Sequence, residues 1–241
     1  MSTKNPVIAG HHDLTEIDFT TLFASSIHDI KNLLFMLLNS LDETISTLST
    51  NDDDAKITSS KLSLLKYNGQ RINDKLIQML ALFSIAQERY QINIAYHSVE
   101  DFIEDMVIEA KPLLNARSIT ITGVVEDGLC WFFDKEIVAG IISNAIHNAL
   151  NYAKSEIRIN AYAKNEYLVI DVEDDGEGFP QHILQNGGTL SAINEANGKT
   201  GLGLYFASVS ANLHINKKKS GQIELHNGGK LNGAVFTLSL P

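Results

Sequence analysis

At 241 residues, with 44% hydrophobic and 20% charged side chains, the chain has enough apolar material for two moderate domains and is no disordered polymer. A formal charge of −10 excludes non-specific binding to nucleic acid or an anionic membrane, since both depend on clustered Lys and Arg. The single cysteine, Cys130, forms no intramolecular disulfide, which fits a reducing, cytoplasmic setting.

In chain order, residues 1–14 read as a flexible start without the apolar stretch of a signal peptide. His11 and His12 there are expected to be exposed polar residues. Nowhere do ~18 apolar residues follow one another, so no membrane span is expected. From Phe23 the apolar positions step by four and three through Ile27, Ile30, Leu34, Leu37, Leu41 and Leu48, with Thr44 filling one slot, which is a heptad seam. Leu62, Leu65, Ile72, Leu76, Met79, Phe83 and Ala86 repeat it, with Gly69 in one seam slot. The polar, turn-rich STNDDDAKIT lies between the two runs, so residues 15–94 are expected to form an antiparallel helical hairpin. Two helices leave an apolar stripe uncovered, and a second copy of the hairpin would close it into a dimeric four-helix bundle. His28, Asp29 and Asn32 stand beside that seam.

From about residue 95 the period changes. HSVEDFIEDMVIEAKPLL and KEIVAGIISNAIHNALNYA have helical spacing, whereas SITITGVV, EIRINAYA and EYLVIDVED alternate like strands. GQIELHNGGKLNGAVFTLSL reads as a hairpin turning within HNGGKLNG. The fold class is therefore α+β: a helical hairpin followed, over 95–241, by an α/β sandwich with helices on one face of a mixed sheet. Cys130, beside Trp131, Phe132 and Phe133, is expected to be a buried core thiol, and Lys217–Lys218–Lys219 a solvated turn.

Three stretches carry possible chemistry. Asn144 and Asn148, at i and i+4, share one helix face, and their carbonyl oxygens are hard ligands of the kind Mg²⁺ accepts beside phosphates and water. In VEDDGEGFP a strand runs into Asp174, Gly176 and Gly178; the glycines allow a tight turn near a flat ligand, and a carboxylate can accept from an exocyclic amine. A calcium loop fails here because its last ligand position is His182. In NGKTGLGLYFASVSANL, Gly198, Gly201 and Gly203 lead into a helix whose first N–H groups suit an anion. A P-loop also fails, because Ile193 stands where its first glycine belongs.

Taken in order, a histidine with an acidic neighbour on a hairpin, an Asn pair, Asp-x-Gly-x-Gly and Gly-x-x-Gly-x-Gly resemble the two-component sensor histidine kinases, over residues ~20 to 241. The resemblance implies a dimerisation and histidine-phosphotransfer hairpin followed by a Bergerat-type ATP-binding domain. His28 then matches the phosphoacceptor, Asp29 its acidic neighbour and Asn32 the position that orients water for dephosphorylating a partner. Asn144 and Asn148 match the Mg²⁺-ATP Asn box, with Tyr152 near the nucleotide. Asp174 matches the adenine-reading carboxylate, Gly176 and Gly178 its turn, Gly201 and Gly203 the phosphate-side glycines, and Lys199 a neutralising cation. Where ATP-hydrolysing relatives of this fold carry a glutamate base, Asn144 stands.

The implied activity is that of a homodimeric histidine kinase, and phosphatase, acting on a response-regulator receiver domain. Since only ~20 residues precede the hairpin, the expected signal source is a separate sensor protein. Three features depart from the family: Leu33–Leu34 stand where a proline usually follows the histidine, the lid stretch HILQNGGTLSAINEAN lacks paired phenylalanines, and Asn151 takes a usually basic position. The last two favour the alternative, a phosphotransfer adaptor or pseudokinase of the same fold that does not bind ATP.

Overall fold

The computed structural model describes residues 26, 29–30, 32–40, 43–44, 54–186 and 201–241. Residues 32–40 are helical. After them come α1 (Asp54–Ala86), β1 (Ala95–Ser98), α2 (Val99–Ala116), β2 (Thr120–Val125), β3 (Cys130–Phe133) and α3 (Lys135–Tyr152). The rest is β4 (Glu156–Lys164), β5 (Tyr167–Asp174), α4 (Gln181–Asn186), α5 (Gly201–Asn212), β6 (Ile215–Asn216), β7 (Lys219–Ser220), β8 (Gln222–Gly228) and β9 (Gly233–Leu240).

The main sheet runs β2-β4-β5-β9-β8, parallel between β2 and β4 and antiparallel elsewhere. It is the mixed sheet expected from the alternating segments. Its register stacks Gly123, Ile159, Val172, Phe236 and Leu225 in one row, and Val125, Ala161, Ile170, Leu238 and Ile223 in the next. Because strand side chains alternate, both rows face the same way, onto the apolar stripes of α3 and α5. That stripe on α3 holds Ile137, Val138, Ile141, Ile142, Ala145, Ile146 and Ala149, all buried. α2 covers β2, where the absent side chain of Gly123 leaves room for Ile103 and Val107. The opposite face carries Arg158, Asp171, Glu173 and Thr237, with the Thr237 hydroxyl donating to Asp171 Oδ1 at 2.7 Å.

Helix α3 starts at Asp134, whose Oδ1 accepts from the N–H groups of Glu136 and Ile137, both at 3.1 Å. A cap of this kind is worth ~1 kcal/mol. Its Oδ2 accepts from Asn93 N–H at 2.8 Å, and its own N–H donates to His214 Nε2 at 3.1 Å. Buried His214 is neutral: Nδ1 donates to Ser210 O at 3.2 Å, and burial lowers its pKa. Lys217 and Lys218 of the lysine run form the exposed turn between β6 and β7, as their composition suggests, while Lys219 opens β7 and pairs with Glu166 at 2.6 Å.

Cys130 corrects one expectation. β1 and β3 form a two-stranded ribbon outside the main sheet, so one of its faces is solvated. Alternation sends Phe133 into the core and puts Cys130 with Phe132 on the outer face. There Phe132 stacks on Tyr96 with ring centroids 4.9 Å apart, and the thiol is half-buried.

The C-terminal part of α1 packs into the core through Leu82, with Ala81, Ala86 and Tyr90 against it. In the N-terminal helix Leu33 is buried, whereas seam residues Leu34, Leu76 and Phe83 remain 48%, 39% and 42% exposed within one chain. Among the described residues, an added Cβ at Gly69 would meet nothing nearer than Leu37 Cδ1 at 3.9 Å. Gly69→Ala is therefore expected to stabilise the chain by ~0.5–1 kcal/mol, through helix propensity alone, as a rise in the urea midpoint at unchanged slope.

Candidate functional site

The alternation of β5 that buries Leu168, Ile170 and Val172 continues to Asp174 and turns its carboxylate to the helix side, where it is 4% exposed. Oδ1 accepts from Gly176 N–H at 2.8 Å and Ala234 N–H at 3.2 Å. Oδ2 is the oxygen left to accept from a ligand. Burial raises the pKa of this carboxyl above its ordinary value, the two N–H bonds lower it part of the way back, and the neighbouring Asp175 charge raises it. Two glycines make the convergence possible. A Cβ at Gly176 would lie 2.5 Å from the Tyr152 carbonyl oxygen at the end of α3. A Cβ at Gly233 would collide with the Asp174 carbonyl oxygen.

The next two polar side chains fix the loop that follows. Asp175 accepts from Lys154 N–H at 2.7 Å, from Ser155 N–H and from the Ser155 hydroxyl at 2.7 Å, tying the end of β5 to the exit of α3. Burial alone would raise its pKa, but these bonds outweigh it and hold the carboxyl at about 2. Asn227 on β8 pairs with both backbone groups of Phe179, accepting at 2.7 Å and donating at 3.0 Å. That amide lies where Gly178, at φ +86°, would otherwise carry a side chain.

Helix α5 begins at Gly201, and its first N–H groups have no partner within the helix. A Cβ at Gly203 would lie 3.3 Å from Asn144 Oδ1, so α5 packs directly on the first Asn of the pair. Asn144 Nδ2 is buried without a hydrogen-bond partner, and Asn148 lies half-buried one turn on. A buried amide with one unmet end suits a bound group that completes it, and its carbonyl oxygen is the hard donor Mg²⁺ takes. Tyr152, at the end of α3, is 58% exposed, with its carbonyl against Gly176.

The structure thus brings Asn144 to Gly203, and Asp174 with Gly176 to Tyr152, both contacts lying along α3. Asn32 is exposed and Asp29 half-buried on the N-terminal helix, and the Asp29 charge acts on Lys75 of α1. His28, Lys199 and most of the expected lid lie outside the described residues.

Residues 133–241 match the family described as histidine kinase-, DNA gyrase B-, and HSP90-like ATPase. The signal transduction histidine-protein kinase AfsQ2 of Streptomyces coelicolor is 34% identical over 138 residues, 56% of this chain and 24% of that protein. The sensor protein KdpD of Clostridium acetobutylicum is 27% identical over 150 residues, 59% of this chain and 16% of that protein. Among solved structures, histidine kinase AdeS of Acinetobacter baumannii has the same fold over 88% of this chain and 96% of its own, at a TM-score of 0.60 and 15% identity. The catalytic domain of histidine kinase ThkA covers 62% of this chain and 95% of its own, at a TM-score of 0.53 and 16% identity.

Residues 133–241 thus form a domain similar to the histidine kinase-type ATPases, on a fold shared with solved histidine kinases. The chain spans about a quarter and about a sixth of the two curated relatives. Motif reading missed Ala234, whose N–H holds Asp174 from 60 residues away, Gly233, whose missing side chain lets the two strands approach there, and Asn227, which braces Gly178. An NG-type turn announces the hairpin that carries them, but no local pattern says which strand end it meets.

Proposed function

We propose that the chain autophosphorylates His28 from Mg²⁺-ATP, passes the phosphoryl group to an aspartate of a response-regulator receiver domain, and dephosphorylates that partner. The observations that carry this reading are a buried carboxylate with one oxygen left for a ligand beside the end of α3, and on the same helix an Asn pair whose first member packs on a glycine-led helix start, within an ATPase-type domain.

In this reading Asp174 Oδ2 accepts from the adenine amine, and Gly176 and Gly178 let the base approach the backbone. The N–H groups from Gly201 and Gly203 hold phosphate oxygens at the start of α5. Asn144 and Asn148 offer carbonyl oxygens to Mg²⁺, which when bound screens the charge on the phosphates. Asn144 cannot take a proton from water, so the terminal phosphoryl group is kept for the imidazole. A ring nitrogen of His28 forms the P–N bond as the bond to the β–γ bridging oxygen breaks; ADP leaves, and the imidazole proton passes to Asp29. Asn32 orients water for the reverse task on the receiver.

The apolar surface that includes Leu34, Phe35, Leu38, Leu76, Leu80 and Phe83 supports a homodimeric four-helix bundle, because a monomer leaves it to water. Light scattering is expected to give a dimer at micromolar concentration, and a clean monomer would contradict this. Incubation with ATP labelled in the terminal phosphate is expected to put acid-labile label on wild type and none on His28→Ala. Undiminished label in that variant would overturn the assignment. Asn32→Ala is expected to keep the label on His28 but to slow loss of phosphate from the receiver several-fold; equal loss of both would reject its role. Calorimetry with an ATP analogue and Mg²⁺ separates the kinase from a non-binding adaptor, which gives no heat.

A further inference from the structure

A cavity of about 970 Å³ lies between α1 and α3, closed on one side by α2. Its lining includes none of Asn144, Asn148, Asp174, Gly201 or Gly203, so it is separate from the nucleotide wall although it uses the same helix. Its size is at the upper end for small-molecule sites, and domain junctions are where such sites commonly occur.

Three features define what fits there. The floor is flat and aromatic: Gly140 has no side chain, and the Phe206 ring sits 3.4 Å from where its Cβ would be. Ile77, Leu80, Met106 and Ile137 add apolar walls. Into this lining α1 brings Gln78, 4% exposed, whose Oε1 is buried with no hydrogen-bond partner. A buried acceptor left unmet is costly, so a ligand N–H or O–H that reaches it gains directionality as well as affinity. The charged lining residues are Asp74, Glu109 and Glu136 against Arg71, a balance that disfavours an anion. His147, in the same lining, is neutral at pH 7.

We propose that this cavity binds a neutral or cationic aromatic amine, whose N–H meets Gln78 and whose ring lies on Gly140 and Phe206, and that the ligand regulates the chain by fixing α1 against α3. The regulatory half rests on the kinase reading, because α1 belongs to the segment with which the ATP-binding domain must deliver phosphate to His28. Binding itself does not depend on that reading.

The test uses the full chain with Mg²⁺-ATP present and N-phenyl-1-naphthylamine as probe, a neutral aromatic amine with one N–H whose fluorescence rises in apolar surroundings. One probe per chain is expected to bind. Its sulfonated analogue, 1-anilinonaphthalene-8-sulfonate, shares the rings but carries an anion and is expected to bind at least tenfold more weakly. Gln78→Leu is expected to weaken N-phenyl-1-naphthylamine about tenfold, and Ala81→Trp, which fills the cavity from α1, to abolish saturable binding. Ala110→Trp fills it from α2 and serves if the first variant fails to fold. Equal affinity for the two probes, or undiminished binding in the filled variants, would overturn the proposal and place the probe on the exposed hairpin surface. Saturating probe is expected to slow labelling of His28 in wild type but not in Ala81→Trp. Equal slowing in both sinks the regulatory claim. Absence of any label without probe sinks the kinase reading, while the titration still decides the site.

Discussion

Asp174→Asn is expected to weaken ATP binding by on the order of 10- to 100-fold while the domain still folds. The substitution is isosteric, and an amide oxygen at the Oδ1 position still accepts from Gly176 and Ala234 N–H, so the turn around Gly233 keeps its anchor. What changes is the other atom. Nδ2 is a donor where adenine needs an acceptor, and two donors then face each other in a buried site. Calorimetry with a non-hydrolysable ATP analogue measures the loss, and near-equal melting temperatures for the two proteins show that the fold is spared. An unchanged affinity would place the base elsewhere. Because burial raises the Asp174 pKa, acid should also weaken ATP binding at a higher pH than an ordinary aspartate would allow, since only the carboxylate can accept at both oxygens.

Between pH 7 and pH 5 the chain is expected to lose about 2 kcal/mol of stability through His147. Its Nδ1 donates to Ser143 O at 2.7 Å, and burial, with Arg71, Lys75 and Arg117 nearby, holds the imidazole at about 4 against an ordinary 6.5. An unfolded chain takes up a proton below 6.5 that the native chain refuses until about 4. Stability from this group is therefore complete above 6.5, falls by about 1.4 kcal/mol per pH unit below it, and levels off below the folded value. The lowered pKa of His214 acts in the same direction. Urea unfolding at several pH values tests this: His147→Gln should lose less stability than wild type over the same interval, and parallel curves would show that the imidazole is not buried neutral.

The parts of this molecule that were legible in its sequence are those whose signal is local. Period-two runs located β2, β4, β5, β8 and β9, and the Asp174–Gly178 turn stood out because its glycines follow a strand. The Asn pair was legible because i and i+4 share a helix face whatever surrounds the helix. Contacts between distant residues were not. Asp134 looks like an ordinary cap, and nothing local says that His214 accepts from its N–H 80 residues away. Nor does anything local say that Asp175 closes the exit of α3 through Ser155, 20 residues away. Cys130 misled because an apolar run was taken for core, when a two-stranded ribbon can bury only one of its faces.

The clamp between His214 and Asp134 bears on how nucleotide occupancy can be communicated. α5 meets α3 at three levels: Gly203 on Asn144, Phe206 on Gly140, and His214 on Asp134. As the contacts pass along α5 from Gly203 to Phe206 to His214 just beyond its end, they pass back along α3 from Asn144 to Gly140 to its cap Asp134, so the helices run antiparallel over about 15 Å at 1.5 Å per residue. A pair fastened at both ends is expected to respond to phosphate at one of them as a unit rather than by sliding, and α1, which touches α5, is the element placed to receive that response.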